Sequence, residues 1–234
     1  FKERLAGQRF DAIAYGIQKR CEELISEWIG NGVRKLGINR VIFSGGVAQN
    51  IKANKKVWEM DSVKKLFVPA GAHDESLSLG AAYLSYVRKK GLKNNLFFPG
   101  PYLGTEYTTD QIEKILKNYE NNKKFIFSKV STADVAKILV KGEVVGWMNG
   151  RMEFGARALG SRSIIAHAGD SEVIKKINDQ VKKRDFWMPF APSIKSDREK
   201  DYIINPKNLD ARLMTIGFDS TKLARREIPA ALHP

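Results

Sequence analysis

The chain has 234 residues, of which 43% are hydrophobic and 10% aromatic, and its formal net charge is +14. This composition excludes a disordered chain, because disorder goes with few apolar and few aromatic residues. The length allows one large domain or two modest ones, and we expect two. The positive charge attracts anions such as nucleic acid, phosphate esters, nucleotides or acidic membrane surfaces, and it does not choose among them.

The cysteine content and the lack of long apolar runs narrow the class of protein further. Cys21 is the single cysteine, so neither an intramolecular disulfide nor a cysteine cluster for a metal can form. No segment reaches the roughly 20 apolar residues of a membrane span. No signal peptide opens the chain, so we expect a cytoplasmic protein without a membrane partner. The lysines are scattered without stacking aromatics, which favours a solvated surface over a nucleic-acid groove.

Helical and strand patterns alternate through residues 1–92, the first predicted domain, as is typical of an α/β layer. We derive these elements from the spacing of apolar residues and from the glycines and prolines that end each run. In chain order they are a helix at 11–36, a strand at 40–44, a helix to about Met60, a strand at 65–68, a polar loop at 70–76 and a small-residue helix to Arg88.

Residues 93–108 contain clustered prolines and glycines, which predict a linker. The second predicted domain, 109–234, again mixes helices and strands. Its predicted elements are a helix at 109–118, a strand at 125–130, a helix capped by Ser131 or Thr132, a strand at 144–148, a glycine-rich basic loop at 150–163, a helix at 171–184 and a strand at 212–218.

Two turns of the first domain are candidate ligand-binding segments. Ser44-Gly-Gly-Val-Ala-Gln-Asn50 lies where a strand ends and a helix begins. Its glycines let the backbone approach a phosphate or an adenosine group, although tight packing explains such a junction equally well. In the loop at 70–76, Asp74 is a candidate metal ligand and His73 a candidate second ligand. A solvated loop is the simpler interpretation of that segment.

The glycine-rich basic loop at 150–163 carries the strongest chemical pattern. It holds three arginines, Arg151, Arg157 and Arg162, with one acid, Glu153. Each guanidinium can make paired, charge-assisted hydrogen bonds, so the loop suits a compact dianion. We expect Glu153 to hold one of the arginines in position. The alternative is a solvated basic loop, but such loops rarely intersperse arginines with apolar residues.

Lys183 and Arg184 end a predicted helix just before the apolar, proline-stiffened run 185–193. They are candidates to complete the same anion pocket. Favourable charges at a helix C-terminus explain them equally well.

These segments, in this order, resemble the NodU/CmcH family of O-carbamoyltransferases over nearly the whole chain. The most specific pieces are Gly150–Ile164, the Lys-Arg-Asp element that starts at Lys183 and the Pro-Phe-Ala-Pro-Ser element that starts at Pro189. The Gly-Gly-Val-Ala-x-Asn piece is shared with ATPases of the actin and sugar-kinase fold. The resemblance implies an α/β fold in which the C-terminal part of an actin-like domain precedes a domain similar to the threonylcarbamoyl-AMP synthase fold.

The resemblance further implies a transfer of a carbamoyl group from carbamoyl phosphate, through a carbamoyl-adenylate made with ATP, to a hydroxyl of a small metabolite. It implies ATP and a divalent metal as cofactors, with iron typical of the family and magnesium as the companion of the nucleotide. A homodimer is a further expectation. By matching position, it assigns Arg151, Arg157 and Arg162 to catalysis, Glu153, Ser163, Lys183 and Arg184 to substrate binding, Gly45, Gly46 and Asn50 to nucleotide binding and Asp74 to the metal.

The family's other metal ligands, a histidine pair on a helix, would lie upstream of Phe1. One carboxylate is too few ligands for a tight site, so we expect this chain to bind the metal poorly. Two other functions stay open. The charge fits threonylcarbamoyl transfer to tRNA, although the tRNA protein of actin-like fold lacks a second domain with this arginine loop. A non-catalytic nucleotide-binding fragment is the third hypothesis.

Overall fold

The computed structural model describes residues 2–91 and 100–233, without the side chain of Lys2. The predicted linker at 93–108 therefore lies partly outside the described residues. By its contacts the chain divides into two compact units, Phe1–Leu96 with Asn205–Phe218 and Phe97–Ile204 with Asp219–Pro234. In the described residues, the first unit combines helices with one two-stranded sheet, and the second combines helices with two such sheets. The predicted α/β character is therefore confirmed. Within residues 2–91 and 100–233, none of the helices combines the length and the apolar character of a membrane span.

The first unit contains one long amphipathic helix and a short parallel strand pair. The strands align Arg40 with Lys65 and Ile42 with Phe67. The predicted helix at 11–36 and strands at 40–44 and 65–68 are confirmed, with small shifts at their ends. The elements are α1 (Lys2–Leu5), α2 (Phe10–Leu36), β1 (Arg40–Ile42), a 3-10 turn (Gly46–Gln49), α3 (Ile51–Glu59), β2 (Lys65–Phe67) and α4 (Ser76–Lys90).

The core of the first unit forms around α3. Ala53 and Val57 lie on one face of this helix because residues four positions apart share a side, and Trp58 and Asn54, again four apart, extend the buried face. The apolar residues of this face pack with Val63 and Val68, which are 0% and 2% exposed, into one buried cluster. The hydrophobic effect over this cluster holds α3 against the strand pair.

The segment Asn205–Phe218 packs within the first unit, although its residues were predicted to lie in the second domain. The ammonium group of Lys207 donates hydrogen bonds to the backbone carbonyls of Trp58, Met60 and Val63 at 2.7, 2.9 and 3.1 Å. Three donors meet three acceptors, so this lysine is fully satisfied at the end of α3. Thr215 adds a hydrogen bond from its hydroxyl to the carbonyl of Val68 at 3.1 Å.

The second unit consists of short helices around antiparallel strand pairs. The longer pair aligns Val145 with Ile165 and Met148 with Arg162. Its elements are α5 (Thr109–Lys117), α6 (Thr132–Val140), β3 (Val145–Met148), β4 (Arg162–Ile165), α7 (Glu172–Lys175), a π-helix (Lys176–Lys182), 3-10 turns (Ser196–Arg198 and Pro229–Ala231), α8 (Glu199–Tyr202), β5 (Ile203–Ile204), β6 (Asp219–Ser220) and α9 (Lys222–Glu227).

Helix starts of the second unit follow their sequence signals closely. Thr108 and Gln111 form a capping box at α5, and Ser131 with Asp134 forms one at α6. In each box the two side chains satisfy each other's free backbone N–H groups. The prediction that Ser131 or Thr132 caps the helix is confirmed, and the residue is Ser131.

The predictions of strands at 125–130 and at 212–218 are wrong, because neither segment pairs in a sheet. In the first, the aromatic rings pack on each other, with Phe125 and Phe127 stacked at 6.2 Å. In the second, the backbone N–H of Gly217 donates to the carbonyl of Ile51 at 3.2 Å, so its hydrogen bond goes to the start of α3. Apolar alternation in the first segment reflects local ring packing, and in the second it reflects packing against a distant part of the chain, so neither segment has a strand neighbour.

Candidate functional site

The arginine loop, residues 149–162, runs from the end of β3 to the first residue of β4 and is closed at its base by a hydrogen bond from the backbone N–H of Asn149 to the carbonyl of Ser161 at 3.0 Å. A second segment, 100–105, runs beside it. The N–H of Gly104 donates to the carbonyl of Met152 at 2.9 Å. A Cβ at position 104 would lie 2.8 Å from the Cβ of Met152, so this close approach requires glycine.

A buried carboxylate organises the inside of the arginine loop. The side chain of Glu153 has 0% of its surface exposed. Its Oε1 accepts hydrogen bonds from the backbone N–H of Leu159, of Ser161 at 3.0 Å and of Arg162 at 3.4 Å. Its Oε2 lies 3.3 Å from Nε of Arg162. One side chain therefore fixes the returning half of the loop and a guanidinium together.

The surroundings of Glu153 keep it ionised. Burial of the carboxyl group raises its pKa, but hydrogen bonds from its own backbone N–H and from those of Leu159, Ser161 and Arg162 outweigh this effect and lower the pKa below its ordinary value. A charged, buried carboxylate needs such donors to replace its water. The ionised group also balances the charge of Arg162.

The three loop arginines have different environments. Arg162, the first residue of β4, donates from Nη2 to the carbonyl of Gly155 at 2.6 Å besides facing Glu153. Arg151 is exposed and donates to the carbonyl of Leu103 at 3.4 Å. Arg157 is exposed, and within residues 2–91 and 100–233 its guanidinium has no acceptor. The common contact of the three arginines with one dianion stays a prediction.

Ser163 and Lys183 both contribute to the local backbone conformation of the second unit. The hydroxyl oxygen of Ser163 accepts a hydrogen bond from the backbone N–H of Gly160 at 3.1 Å, which narrows the turn before β4. Lys183 is exposed and adopts a left-handed conformation with φ of 49° at the end of the π-helix. The predicted helix at 171–184 is thus confirmed as a helical segment, and most of it is π-helical.

Arg184 is held by a residue that the sequence analysis did not select. Its Nε donates to Oδ1 of Asn178 at 2.7 Å, and its guanidinium carbon lies 5.0 Å from the ring centre of Phe190. Asn178 is 0% exposed. Asparagine is a poor helix former because its side chain competes for backbone groups, so an asparagine inside a predicted helix was the available signal.

In the first unit, the Gly45-Gly46 junction is shaped by its neighbours. Gly45 has φ of 109° and ψ of 167°, a region open only to glycine. Its N–H donates to the carbonyl of Ala72 at 2.6 Å. A Cβ on Gly46 would lie 3.2 Å from the ring of His73. The junction therefore brings the loop at 70–76 against the turn that precedes α3.

Asn50 has an intramolecular role at this junction. It caps α3, with Oδ1 accepting from the backbone N–H of Ala53 at 3.1 Å. It also exchanges two hydrogen bonds of 3.0 Å with the side-chain amide of Gln18 on α2. The contact of Asn50 with a nucleotide, like those of Gly45 and Gly46, stays a prediction.

Asp74 is exposed over 85% of its side chain, and its carboxylate lies 3.8 Å from Nδ1 of His73. Among the residues that the structure describes, no group of three histidines, cysteines or acids could hold a metal ion. These residues alone do not fit an iron site.

Two family models match the chain. The model described as "Carbamoyltransferase N-terminus" matches residues 2–83, and the one described as "Carbamoyltransferase C-terminus" matches residues 136–234. The chain belongs to the carbamoyltransferase family. The resemblance noted from the sequence is confirmed, and the arginine loop lies inside the C-terminal match.

Proteins similar to this chain occur in several organisms. An uncharacterized protein of Methanocaldococcus jannaschii is 30% identical over 100% of the chain and 38% of its own length. Nodulation protein NolO of Bradyrhizobium diazoefficiens is 31% identical over 85% of the chain and 36% of its length. Nodulation protein U of Azorhizobium caulinodans is 30% identical over 91% of the chain and 36% of its length. The chain thus spans little more than a third of these relatives.

Proposed function

We propose that the protein is an O-carbamoyltransferase and that the second unit binds carbamoyl phosphate through the arginine loop. The supporting observation is the loop held in shape by the buried, ionised Glu153. The loop arginines bring three positive charges against the one negative charge of this residue, so +2 remains. That charge matches a phosphate dianion.

The proposed reaction has two stages. In the second domain, water hydrolyses carbamoyl phosphate to carbamate and phosphate, and a carbamate oxygen then attacks the α-phosphorus of ATP and displaces pyrophosphate, which gives the carbamoyl-adenylate. A hydroxyl of the acceptor then attacks the carbamoyl carbon, loses its proton and displaces AMP. Carbamate is a poor electrophile, so the adenylate supplies the leaving group that makes this attack feasible. The actin-like domain, to which the Gly45-Gly46 junction belongs by resemblance, is the proposed place of the second stage.

The guanidinium of Arg157 is the group we expect to contact the phosphate most directly, since it is exposed and has no acceptor in the described part of the protein. Arg162 contributes chiefly by keeping the loop in shape with Glu153. Arg151 lies at the other end of the loop and is the third proposed contact. Each guanidinium offers a fork of donors that fits two phosphate oxygens.

Isothermal titration of carbamoyl phosphate into the chain tests this proposal. We expect micromolar to millimolar binding that Arg157→Ala and Arg162→Ala weaken strongly. Arg225→Ala is the matched control, because Arg225 is an exposed arginine of α9 outside the loop. Equal binding by all three variants, or no binding by the wild type, would contradict the proposal.

The net charge of +14 is the one observation that favours a second candidate, transfer of threonylcarbamoyl to tRNA. Titration with tRNA separates the two. Tight binding that weakens steeply with salt, together with no response to carbamoyl phosphate, would support the tRNA reaction. Binding of carbamoyl phosphate without any transfer to a hydroxyl would support a non-catalytic fragment.

A further inference from the structure

Asn178 ties the π-helix to the residues that follow it. It lies within the π-helix, a helical irregularity that often occurs at functional sites. Its backbone carbonyl accepts hydrogen bonds from the backbone N–H of Lys183 and, at 2.9 Å, of Arg184. The helix end is thereby fixed immediately before two predicted anion ligands.

The side chain of Asn178 uses its donors and its acceptor at the same time. Its Nδ2 donates to the carbonyls of Phe186 and Met188 at 3.1 and 3.2 Å. Its Oδ1 accepts from Nε of Arg184 at 2.7 Å. An amide supplies two donors and an acceptor in this arrangement, whereas an aspartate would face the two carbonyls with a further acceptor.

Arg184 is oriented but largely unused by the protein. A guanidinium has five N–H donors, and Asn178 takes the one on Nε. The donors on the two terminal nitrogens find no acceptor in the described ranges, and no carboxylate there pairs with this arginine. Phe190 covers one face of the guanidinium. A half-buried cation with free, aligned donors is the arrangement that binds phosphate oxygens.

We propose that Asn178 is a positioning residue that aims Arg184 at a phosphate group of a bound substrate. This inference rests on the proposed function. Asn178 acts through Arg184, and because it is neutral it fixes the guanidinium without cancelling its charge. Glu153 does the opposite for Arg162, since it fixes and neutralises it. Carbamoyl phosphate and ATP offer the same phosphate chemistry, so the test uses both.

The test is calorimetric titration of the chain with carbamoyl phosphate and, separately, with ATP. We expect Arg184→Ala to weaken binding of the ligand that it contacts on the order of ten- to hundredfold. Arg184→Lys keeps the charge but lacks the Nε donor to Asn178, so a similar loss is expected. Asn178→Ala should weaken binding in the wild type and have no further effect in the Arg184→Ala background.

The outcomes separate a positioning role from a structural one. Wild-type binding by Arg184→Lys would overturn the proposal, and so would independent, additive losses from Asn178→Ala and Arg184→Ala. Should Asn178→Ala fail to fold, Arg184→Lys still decides, since Arg184 is partly exposed. The control Arg225→Ala is expected to bind both ligands like the wild type.

Failure of this inference differs from failure of the proposed function. If the wild type binds neither ligand, both are wrong. If Arg157→Ala loses binding while Arg184→Ala keeps it, only the role of Asn178 and Arg184 is wrong. A loss confined to one ligand supports the inference and assigns Arg184 to that ligand.

Discussion

Replacing Glu153 by glutamine removes one charge from a fully buried position while keeping the size of the side chain. Two hydrogen bonds, from the N–H of Ser161 at 3.0 Å and from that of Leu159, and a longer one from Arg162, then end on a neutral oxygen. A hydrogen bond to a charged group contributes about 1 kcal/mol more than a neutral one. With the lost ion pair to Arg162, we expect a destabilisation of about 2 to 4 kcal/mol.

Urea unfolding, together with hydrogen exchange of the peptide that covers residues 149–163, measures this effect. The backbone amides of Leu159, Ser161 and Arg162 should exchange faster in the variant, because they lose their charged acceptor. The control is Glu120→Gln, an exposed acid of the same unit, which should change stability by less than about 0.5 kcal/mol. If the two variants unfold alike and exchange alike, Glu153 does not organise the loop.

The pH dependence of this effect has a definite sign. The pKa of Glu153 is lower in the folded chain than its ordinary value, so its stabilising contribution is complete above the unfolded pKa. The contribution is lost as the pH falls through the folded pKa. The stabilities of the wild type and of Glu153→Gln should therefore differ most above about pH 5 and converge in more acidic solution. A difference that grows with acidification would refute this reasoning.

Three further predictions concern the first unit. Gly45→Ala should lower the free energy of unfolding by about 1 to 3 kcal/mol in urea, because the backbone conformation of Gly45 is open only to glycine. Gly46→Ala should lower it less, since the His73 ring near a Cβ at that position can move aside. Lys207→Met should lower the free energy of unfolding by about 2 to 3 kcal/mol in the same assay, because three backbone carbonyls lose their donor. The exposed Lys19→Met is the control and should leave stability unchanged. Ferrous ion should shift the unfolding temperature by less than about 1 °C, since Asp74 is a single exposed ligand, and a saturable rise would contradict this.

Local sequence signals were sufficient for much of the fold. The apolar spacing of α2 and the capping pattern at Ser131 both depend on residues within a few positions of each other. Such interactions survive in any tertiary setting. The strand at 145–148 was equally predictable, because its apolar run is bounded by glycines.

Contacts between residues far apart in the chain could not be predicted from the sequence. Nothing near Lys207 indicates that its ammonium group meets carbonyls about 150 positions earlier, at the end of α3. The apolar alternation at 212–218 suited a strand equally well, and only the partner decides which it becomes. The hydrogen bond between Asn54 and the carbonyl of Thr215, at 2.7 Å, belongs to the same class. Pattern reasoning identifies faces and turns, whereas these contacts depend on which face meets which segment.

In the candidate site, too, one residue could be predicted from the sequence and another could not. The difference between them has a chemical consequence. Glu153 was selected because an acid among three arginines is visible in the sequence, while Asn178 was missed because a neutral amide leaves no charge pattern. Both residues face the Nε side of a guanidinium. Asn178 accepts a hydrogen bond from Arg184 at 2.7 Å, whereas Oε2 of Glu153 makes an ion pair with Arg162 at 3.3 Å and, in the described part of the chain, no hydrogen bond. The acid neutralises its arginine and the amide does not. The positive charge left for an anion therefore lies on Arg184, Arg157 and Arg151 rather than on Arg162, whose contribution is the shape of the loop.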